Sequence, residues 1–254
     1  MGITLSLANQ VVVVTGGAGG IGSVIARRLA EAEARVIITD LNGERAQETA
    51  AGLPGAGHWG VSVAVDDSAG LKGLADQIAE RYGRLDVLVN CAGITRPVAH
   101  DDLDGLDDEL IDAIFRVNWR GSFACVRAFR GLLAAPRADG ERGLVINISS
   151  IAGTTGIGSN VAYCASKAAV NAMTLSLARA LAPAIRVVAV APGWVEGEYA
   201  KRMDPAILEV QRQKTPLARL AQAEDVAEAI LAVATSLKFS TGCIIPVDGG
   251  RPLN

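Results

Sequence analysis

The chain has 254 residues, 50% hydrophobic and 4% aromatic, with 24 basic and 27 acidic side chains and a formal net charge of −3. So apolar and evenly charged a composition excludes intrinsic disorder, and the lack of any lysine or arginine run excludes an electrostatic footprint for nucleic acid or an anionic membrane. α/β folds run to about 250 residues as one unit, so a single domain over residues 1–254 is expected.

Met1 to Ala26 carries no charged residue. A signal peptide or membrane span is still not expected, because there is no basic leader, the apolar run 11–14 is too short, and glycines follow it at once. Met1-Gly2 with Ser6 fits the N-myristoylation pattern, but so short a pattern is met by chance. A buried strand and a glycine turn explain the stretch better. Apolar runs at 11–14, 35–39, 59–65, 85–89, 144–148, 185–191 and 243–247 predict seven strands. Helical patterns cover 21–33, 43–51, 69–82, 107–133, 161–181 and 224–236. The alternation predicts an α/β fold, a doubly wound seven-stranded parallel sheet with helices on both faces. Continuous runs such as Val-Val-Val-Val suit strands buried on both sides. Asp67 or Ser68 caps the helix at 69–82, and Gly83 ends it. Segment 136–143 is a loop within the domain. Connections 92–107 and 193–220 are too long for plain turns and follow the carboxyl ends of strands, where open α/β sheets bind ligands. The second has a helical pattern at 205–213, and a substrate lid is expected over about 194–215.

Cys91, Cys125, Cys164 and Cys243 are widely spaced without a C-x-x-C pair, which predicts neither zinc nor a redox motif but reduced thiols of a cytoplasmic protein. His58 and His100 are the only histidines, and no metal site is expected. Arg96 has the chemistry to pair with a substrate carboxylate or phosphate, although a surface ion pair is the simpler expectation.

Glycine is over-represented, with 28 residues against a usual share of about 7%. Several stand in Thr15-Gly16-Gly17-Ala18-Gly19-Gly20-Ile21-Gly22, directly after the first strand and opening a helix. A strand, a glycine turn and a helix start in that order let a pyrophosphate approach bare backbone at the positive end of a helix. Asp40, 18 residues past Gly22 at the end of the second strand, is placed to accept hydrogen bonds from adenosine ribose hydroxyls.

The spacing T-G-x-x-x-G-x-G resembles that of the short-chain dehydrogenase/reductase family. The resemblance covers essentially the whole chain. It rests further on Asn90-Cys91-Ala92-Gly93, with cysteine in the second place of the family's N-N-A-G, and on Asn118, Ser150, Tyr163-x-x-x-Lys167, Pro192-Gly193 and Asp248-Gly249-Gly250. It implies a Rossmann fold and a nicotinamide cofactor held by Gly16, Gly20, Ile21, Gly22, Asp40, Leu41, Val65, Asn90, Ala92, Gly93, Tyr163, Lys167, Pro192, Gly193 and Val195. NAD is expected over NADP, because Asp40 would face a 2′-phosphate as a like charge and Gly17, Ala18, Leu41 and Asn42 offer no cation.

Tyr163 and Lys167 stand four residues apart in a helical pattern and so share a face. An ammonium nearby favours the phenolate of a tyrosine that otherwise ionises near pH 10. By resemblance, Tyr163 exchanges the proton with the substrate oxygen, Lys167 holds the nicotinamide ribose, Ser150 polarises the substrate oxygen, and the backbone of Asn118 helps hold a relay water. The adjacent Ser149 does not fit the spacing. Two departures stand out. Gly197 occupies the place where the family carries a threonine near the carboxamide, and Ala64-Val65 stands where Asp-Val is usual, with Asp66 one residue away.

The implied activity is NAD-dependent interconversion of a secondary alcohol and a ketone. A polyol, sugar or other small hydroxy compound is the expected substrate. A 3-oxoacyl thioester is the alternative, suggested by the Gly-Ile-Thr-Arg run at 93–96 and by chain length. A non-catalytic NAD sensor would not need Asn118, Ser150, Tyr163 and Lys167 intact. A homotetramer is implied, with helices 107–133 and 161–181 at one interface.

Overall fold

Seven parallel strands form one sheet in the order β3-β2-β1-β4-β5-β6-β7. They are β1 (Val11–Thr15), β2 (Arg35–Asp40), β3 (Trp59–Ser62), β4 (Val87–Asn90), β5 (Gly143–Ile148), β6 (Ile185–Pro192) and β7 (Ile244–Val247). The computed structural model describes residues 5–137, 140–197, 200 and 204–253. Met1-Gly2, residues 138–139 of the expected loop, and residues 198–199 and 201–203 of the expected lid lie outside the described residues.

The helices are α1 (Gly20–Glu31), α2 (Gly43–Ala51), α3 (Ser68–Tyr82), α4 (Asp108–Phe115), α5 (Ser122–Leu133), α6 (Ala152–Thr155), α7 (Val161–Leu181), α8 (Pro205–Gln213) and α9 (Ala223–Thr235). Strand periodicity divides the core into two layers. Val12, Val14, Val36 and Ile38 pack with Ile25 and Leu29 of α1 and Ile230 of α9, whereas Val11, Val13 and Ile37 pack with Leu74 and Ile78 of α3 and Phe129 of α5. β1 is wholly buried, as its four valines require, and each buried valine contributes about 1.5–3 kcal/mol as an upper estimate.

Capping follows the sequence. Asp67 accepts from the Ala69 N–H at 3.0 Å, and Gly83 closes α3 in the left-handed region at φ 69°. β3 is shorter than expected: after Ser62 the chain makes one more bond, Val63 N–H to the Asp40 carbonyl at 3.1 Å, and leaves the sheet edge.

The single helix expected over 107–133 is three pieces. A π-helical segment, Arg116–Gly121, separates α4 from α5 and contains Asn118. Its cause is lateral. The Asn118 side chain is pulled toward the loop after β4, and Gly121 packs so tightly that a Cβ there would lie 2.6 Å from Val65 Cγ2. Such π-turns inside α-helices concentrate at functional sites.

Strand order reverses between β1 and β4. Thr15 is in register with Asn90, and Asn90 with Asn147, so the carboxyl ends of β1, β4 and β5 finish level. That is the crevice in which open α/β sheets receive ligands.

Candidate active site

The turn from β1 into α1 is built around close backbone approach. Gly16 has φ +62°, and a Cβ on it would stand 2.9 Å from Ala92 Cα; one on Gly22 would stand 2.2 Å from the Gly16 carbonyl oxygen. Thr15 Oγ1 accepts from the N–H groups of Cys91 and Ala92, each at 3.1 Å, and ties this turn to the one after β4. Gly20 is different. Among the described residues a Cβ there meets nothing within 4 Å, so their packing does not demand a glycine. Helix α1 also starts without a side-chain cap and without an acidic residue in its first turn, leaving a positive helix end facing this open space. These features fit a dinucleotide pyrophosphate.

Asp40 ends β2, partly exposed, and its Oδ1 accepts from the Asn42 N–H at 3.2 Å. Leu41 beside it is 75% exposed. The sequence around Asp40 offers no cation, but the fold brings one in. Arg45, on the first turn of α2, donates from Nη2 to the Ala18 carbonyl at 2.9 Å, and so stands against the glycine turn.

The second cluster forms where β4, β5, the π-segment and α7 meet. Lys167 is 6% exposed and donates from Nζ to the Ile148 carbonyl at 2.8 Å, while the same Nζ lies 5.7 Å from the centre of the Tyr163 ring. Burial lowers the Lys167 ammonium to about 8 and pushes the neighbouring Cys91 thiol up to about 11, with Lys167 opposing the latter. Ser150 is buried at the end of β5, and its Oγ accepts from the Ala152 N–H at 3.1 Å, so it also starts α6, a short helix the sequence did not suggest. Ser149 is spent elsewhere, donating to Asn171 Oδ1 at 2.6 Å and to the Lys167 carbonyl at 3.3 Å.

Asn118 staples three elements. Its Oδ1 accepts from the Ile94 N–H at 2.8 Å, and its Nδ2 donates to the Ile94 carbonyl and to Ser166 Oγ, each at 3.1 Å. Its own carbonyl accepts from Ser122 Oγ at 2.9 Å. Gly93 lies inside this cluster, where a Cβ would stand 3.3 Å from Asn118 Oδ1 and 3.8 Å from Lys167 Nζ.

Other expected residues are placed unequally. The Asn90 side chain turns into the fold, donating to Asn147 Oδ1 at 2.9 Å, and Asn147 in turn reaches Thr174 on α7. Val65 packs in the core, and Asp66 pairs with Arg116 at 3.3 Å. Pro192 ends β6, and the Gly193 N–H bonds the Val247 carbonyl at 2.9 Å. Val195 forms a parallel bridge to Ala221 through the carbonyl of Trp194 and the N–H of Glu196, so its own N–H and carbonyl point to the opposite side. Among the described residues, a Cβ on Gly197 would meet nothing within 4 Å. Arg96 is engaged in an exposed ion pair with Asp107 at 2.9 Å, and His100 donates to the Gly158 carbonyl at 3.1 Å. Arg251, which no motif indicates, lines a cavity of about 300 Å³ with Ile151 and Trp194. Among the described residues, no group of three or more His, Cys, Asp or Glu is arranged to hold a metal, and no helix is long and apolar enough to cross a membrane.

A family model described as enoyl-(acyl carrier protein) reductase matches residues 16–251. A solved structure described as a short-chain dehydrogenase/reductase of Burkholderia xenovorans superposes with TM-score 0.88 at 35% identity, covering 98% of this chain and 100% of that one. The chain belongs to the short-chain dehydrogenase/reductase family. It is a nicotinamide-dependent oxidoreductase with a single-domain Rossmann fold. A protein described as a ketoacyl reductase of the granaticin polyketide synthase of Streptomyces violaceoruber is 40% identical over 96% of both chains. The cis-4-hydroxycyclohexanecarboxylate dehydrogenase of Sinomonas cyclohexanicum is 38% identical, over 96% of this chain and 97% of its own. The RhlG/NADP active-site complex of Pseudomonas aeruginosa superposes with TM-score 0.90 at 32% identity over 99% of each chain.

Proposed function

We propose that this family member reduces the ketone of a 3-oxoacyl-type thioester to a secondary alcohol, with Tyr163 as proton donor and NADH as the preferred reductant. The observation that carries the substrate class is the 40% likeness, end to end, to a protein described as a ketoacyl reductase. That likeness displaces the polyol or sugar expected from sequence. The cavity beside Ser150 agrees, since Ile151, Ile157, Trp194 and Pro252 give it apolar walls suited to an acyl group rather than to a row of hydroxyls. The likeness to a hydroxycyclohexanecarboxylate dehydrogenase extends the class to ring-bearing ketones.

Ser150 and Tyr163 hold the carbonyl oxygen between their hydroxyls, and Tyr163 releases its proton to that oxygen as it becomes an alkoxide. When bound, the cofactor supplies the hydride to the carbonyl carbon. Lys167, fixed by the Ile148 carbonyl, stabilises the phenolate left behind and holds the nicotinamide ribose. Asn118 keeps the β4 turn against α7, and its carbonyl helps hold the water that returns a proton toward Lys167. Asp40 binds the adenosine ribose and opposes a 2′-phosphate. The described residues of segment 194–215, α8 among them, cover the substrate, and four chains assemble through the face bearing the π-segment, α5 and α7.

Steady-state assays of 3-oxoacyl thioester reduction with NADH and NADPH, beside polyol oxidation with NAD, test the reading. A thioester kcat/KM at least about 100-fold above that of any polyol is expected. A polyol used as well as or better than the thioester would reject it.

A further inference from the structure

Tyr163 stands in the first turn of α7, where a backbone N–H has no acceptor within the helix. The side chain of Asn160 supplies one: its Oδ1 accepts from the Tyr163 N–H at 2.7 Å. The Tyr163 carbonyl accepts from Ser166 Oγ at 2.8 Å, and Ser166 Oγ accepts in turn from Asn118 Nδ2 at 3.1 Å. Asn160 and Ser166 are both buried, so the backbone of Tyr163 is gripped on each side by a side chain shielded from water.

A helix cap needs only an acceptor, and serine, aspartate and asparagine supply it about equally well. Asn160 also uses its donor. Its Nδ2 donates to the Arg96 carbonyl at 2.7 Å and to Thr95 Oγ1 at 3.4 Å, which carries the grip across to the loop after β4. That loop is held on either side of Arg96: Asn118 bonds both the N–H and the carbonyl of Ile94, and the Val98 N–H bonds the Ser159 carbonyl at 2.9 Å. One buried amide therefore braces the first turn of α7 against a loop that is itself fixed. The phenol hydroxyl lies at the far end of its side chain, so a small tilt of this turn displaces it by more than the backbone moves. Proton transfer requires that hydroxyl within hydrogen-bond reach of the substrate oxygen.

We propose that Asn160 is a positioning residue for the ketone reduction: by bracing α7 against the loop after β4, it aims the Tyr163 hydroxyl at the ketone oxygen. This rests on the reading of Tyr163 as proton donor.

The test compares the parent protein with Asn160→Ser, which keeps an acceptor for the cap but is too short to reach the Arg96 carbonyl as well. Ser166→Ala, which releases the Tyr163 carbonyl and puts a good helix former into α7, is the second variant. Gly83→Ala, strained at φ 69° at the opposite end of the sheet, controls for lost stability. Each is assayed with the acetoacetyl thioester of N-acetylcysteamine and with 4-oxocyclohexanecarboxylate, and sites are counted by fluorescence titration with NADH. Asn160→Ser is expected to lower kcat per NADH-binding site by about 10- to 100-fold, with the NADH Kd and the ketone KM within about threefold of the parent. Ser166→Ala should show the same split, and Gly83→Ala should keep the parent's kcat per site. A kcat per site within about threefold of the parent in Asn160→Ser overturns the inference, as does a loss matched by weaker NADH binding or by Gly83→Ala. If Asn160→Ser binds no NADH, Ser166→Ala decides by the same criteria. An inactive Tyr163→Phe beside a fully active Asn160→Ser overturns the inference alone. Undiminished turnover by Tyr163→Phe, or no turnover of either ketone by the parent, overturns the reading of the site along with it.

Discussion

Lys167 is nearly fully buried, and its ammonium is lowered by burial from 10.5 to about 8. Between those values the unfolded chain holds more protons than the folded one, so this site's contribution to stability rises with pH across that window, and the penalty is complete below about 8. Lys167→Met is therefore expected to be inactive yet to melt higher at pH 7, by about 2–4 °C for each kcal/mol recovered, with the advantage shrinking as pH approaches 10.5. Thermal melts across pH check this; a variant that melts lower at every pH contradicts it. In the proposed mechanism reduction needs both the Tyr163 proton and the ammonium, so kcat/KM for reduction is expected to fall as pH rises through about 8. The proposed preference for NADH assigns opposite roles to Asp40 and Arg45. Asp40→Ser with Leu41→Arg is expected to move the NADH-to-NADPH ratio of kcat/KM toward NADPH by about 100-fold, and Arg45→Ala to move it the other way. Similar use of both cofactors by the parent would contradict the role given to Asp40. Motif spacing made Tyr163, Lys167, Ser150 and Asp40 legible in the sequence. It missed Arg45 and Arg251 because both arrive by tertiary contact, 27 residues from Ala18 in one case and 40 from Gln211 in the other.

Among the elements, the phosphate-side turn separates packing from binding. Gly22→Ala should destabilise the fold, since its Cβ would fall 2.2 Å from the Gly16 carbonyl oxygen, whereas Gly20→Ala has open space. Calorimetry should show Gly20→Ala melting at or slightly above the parent, as expected for alanine in a helix. Fluorescence titration should show it binding reduced cofactor at least about tenfold more weakly. Unchanged affinity would remove Gly20 from the cofactor site. Helix ends marked by local chemistry, such as Asp67 and Gly83 around α3, were readable in advance. The π-segment was not, because its periodicity continues that of α4 and α5 and its cause is the grip of Ile94 and Ser166 on Asn118. The short β3 was over-extended for a related reason: Val63 and Val65 are apolar, yet Val65 packs under Gly121 instead of pairing in the sheet.

For the molecule as a whole, the seven-stranded doubly wound sheet followed from β-branched runs alternating with helical patterns, and the switch between β1 and β4 placed the ligand crevice at the glycine turn. The proposed assembly has an apolar face to use: Trp119 and Phe123 stack at 6.2 Å on an exposed face, and Leu175 of α7 is 39% exposed. A Trp119→Glu, Phe123→Glu double variant is expected to sediment as a smaller species than a tetrameric parent; a parent that is monomeric at micromolar concentration rules out the assembly. In the proposed mechanism Tyr163 moves the proton in a nicotinamide-coupled ketone reduction. The most direct test of that role is Tyr163→Phe, with reduced-cofactor binding and ketone turnover measured on the same preparation. Cofactor affinity within about threefold of the parent and kcat/KM lowered by about 10²–10⁴-fold are predicted. Turnover within about threefold of the parent would rule out Tyr163 as the proton donor.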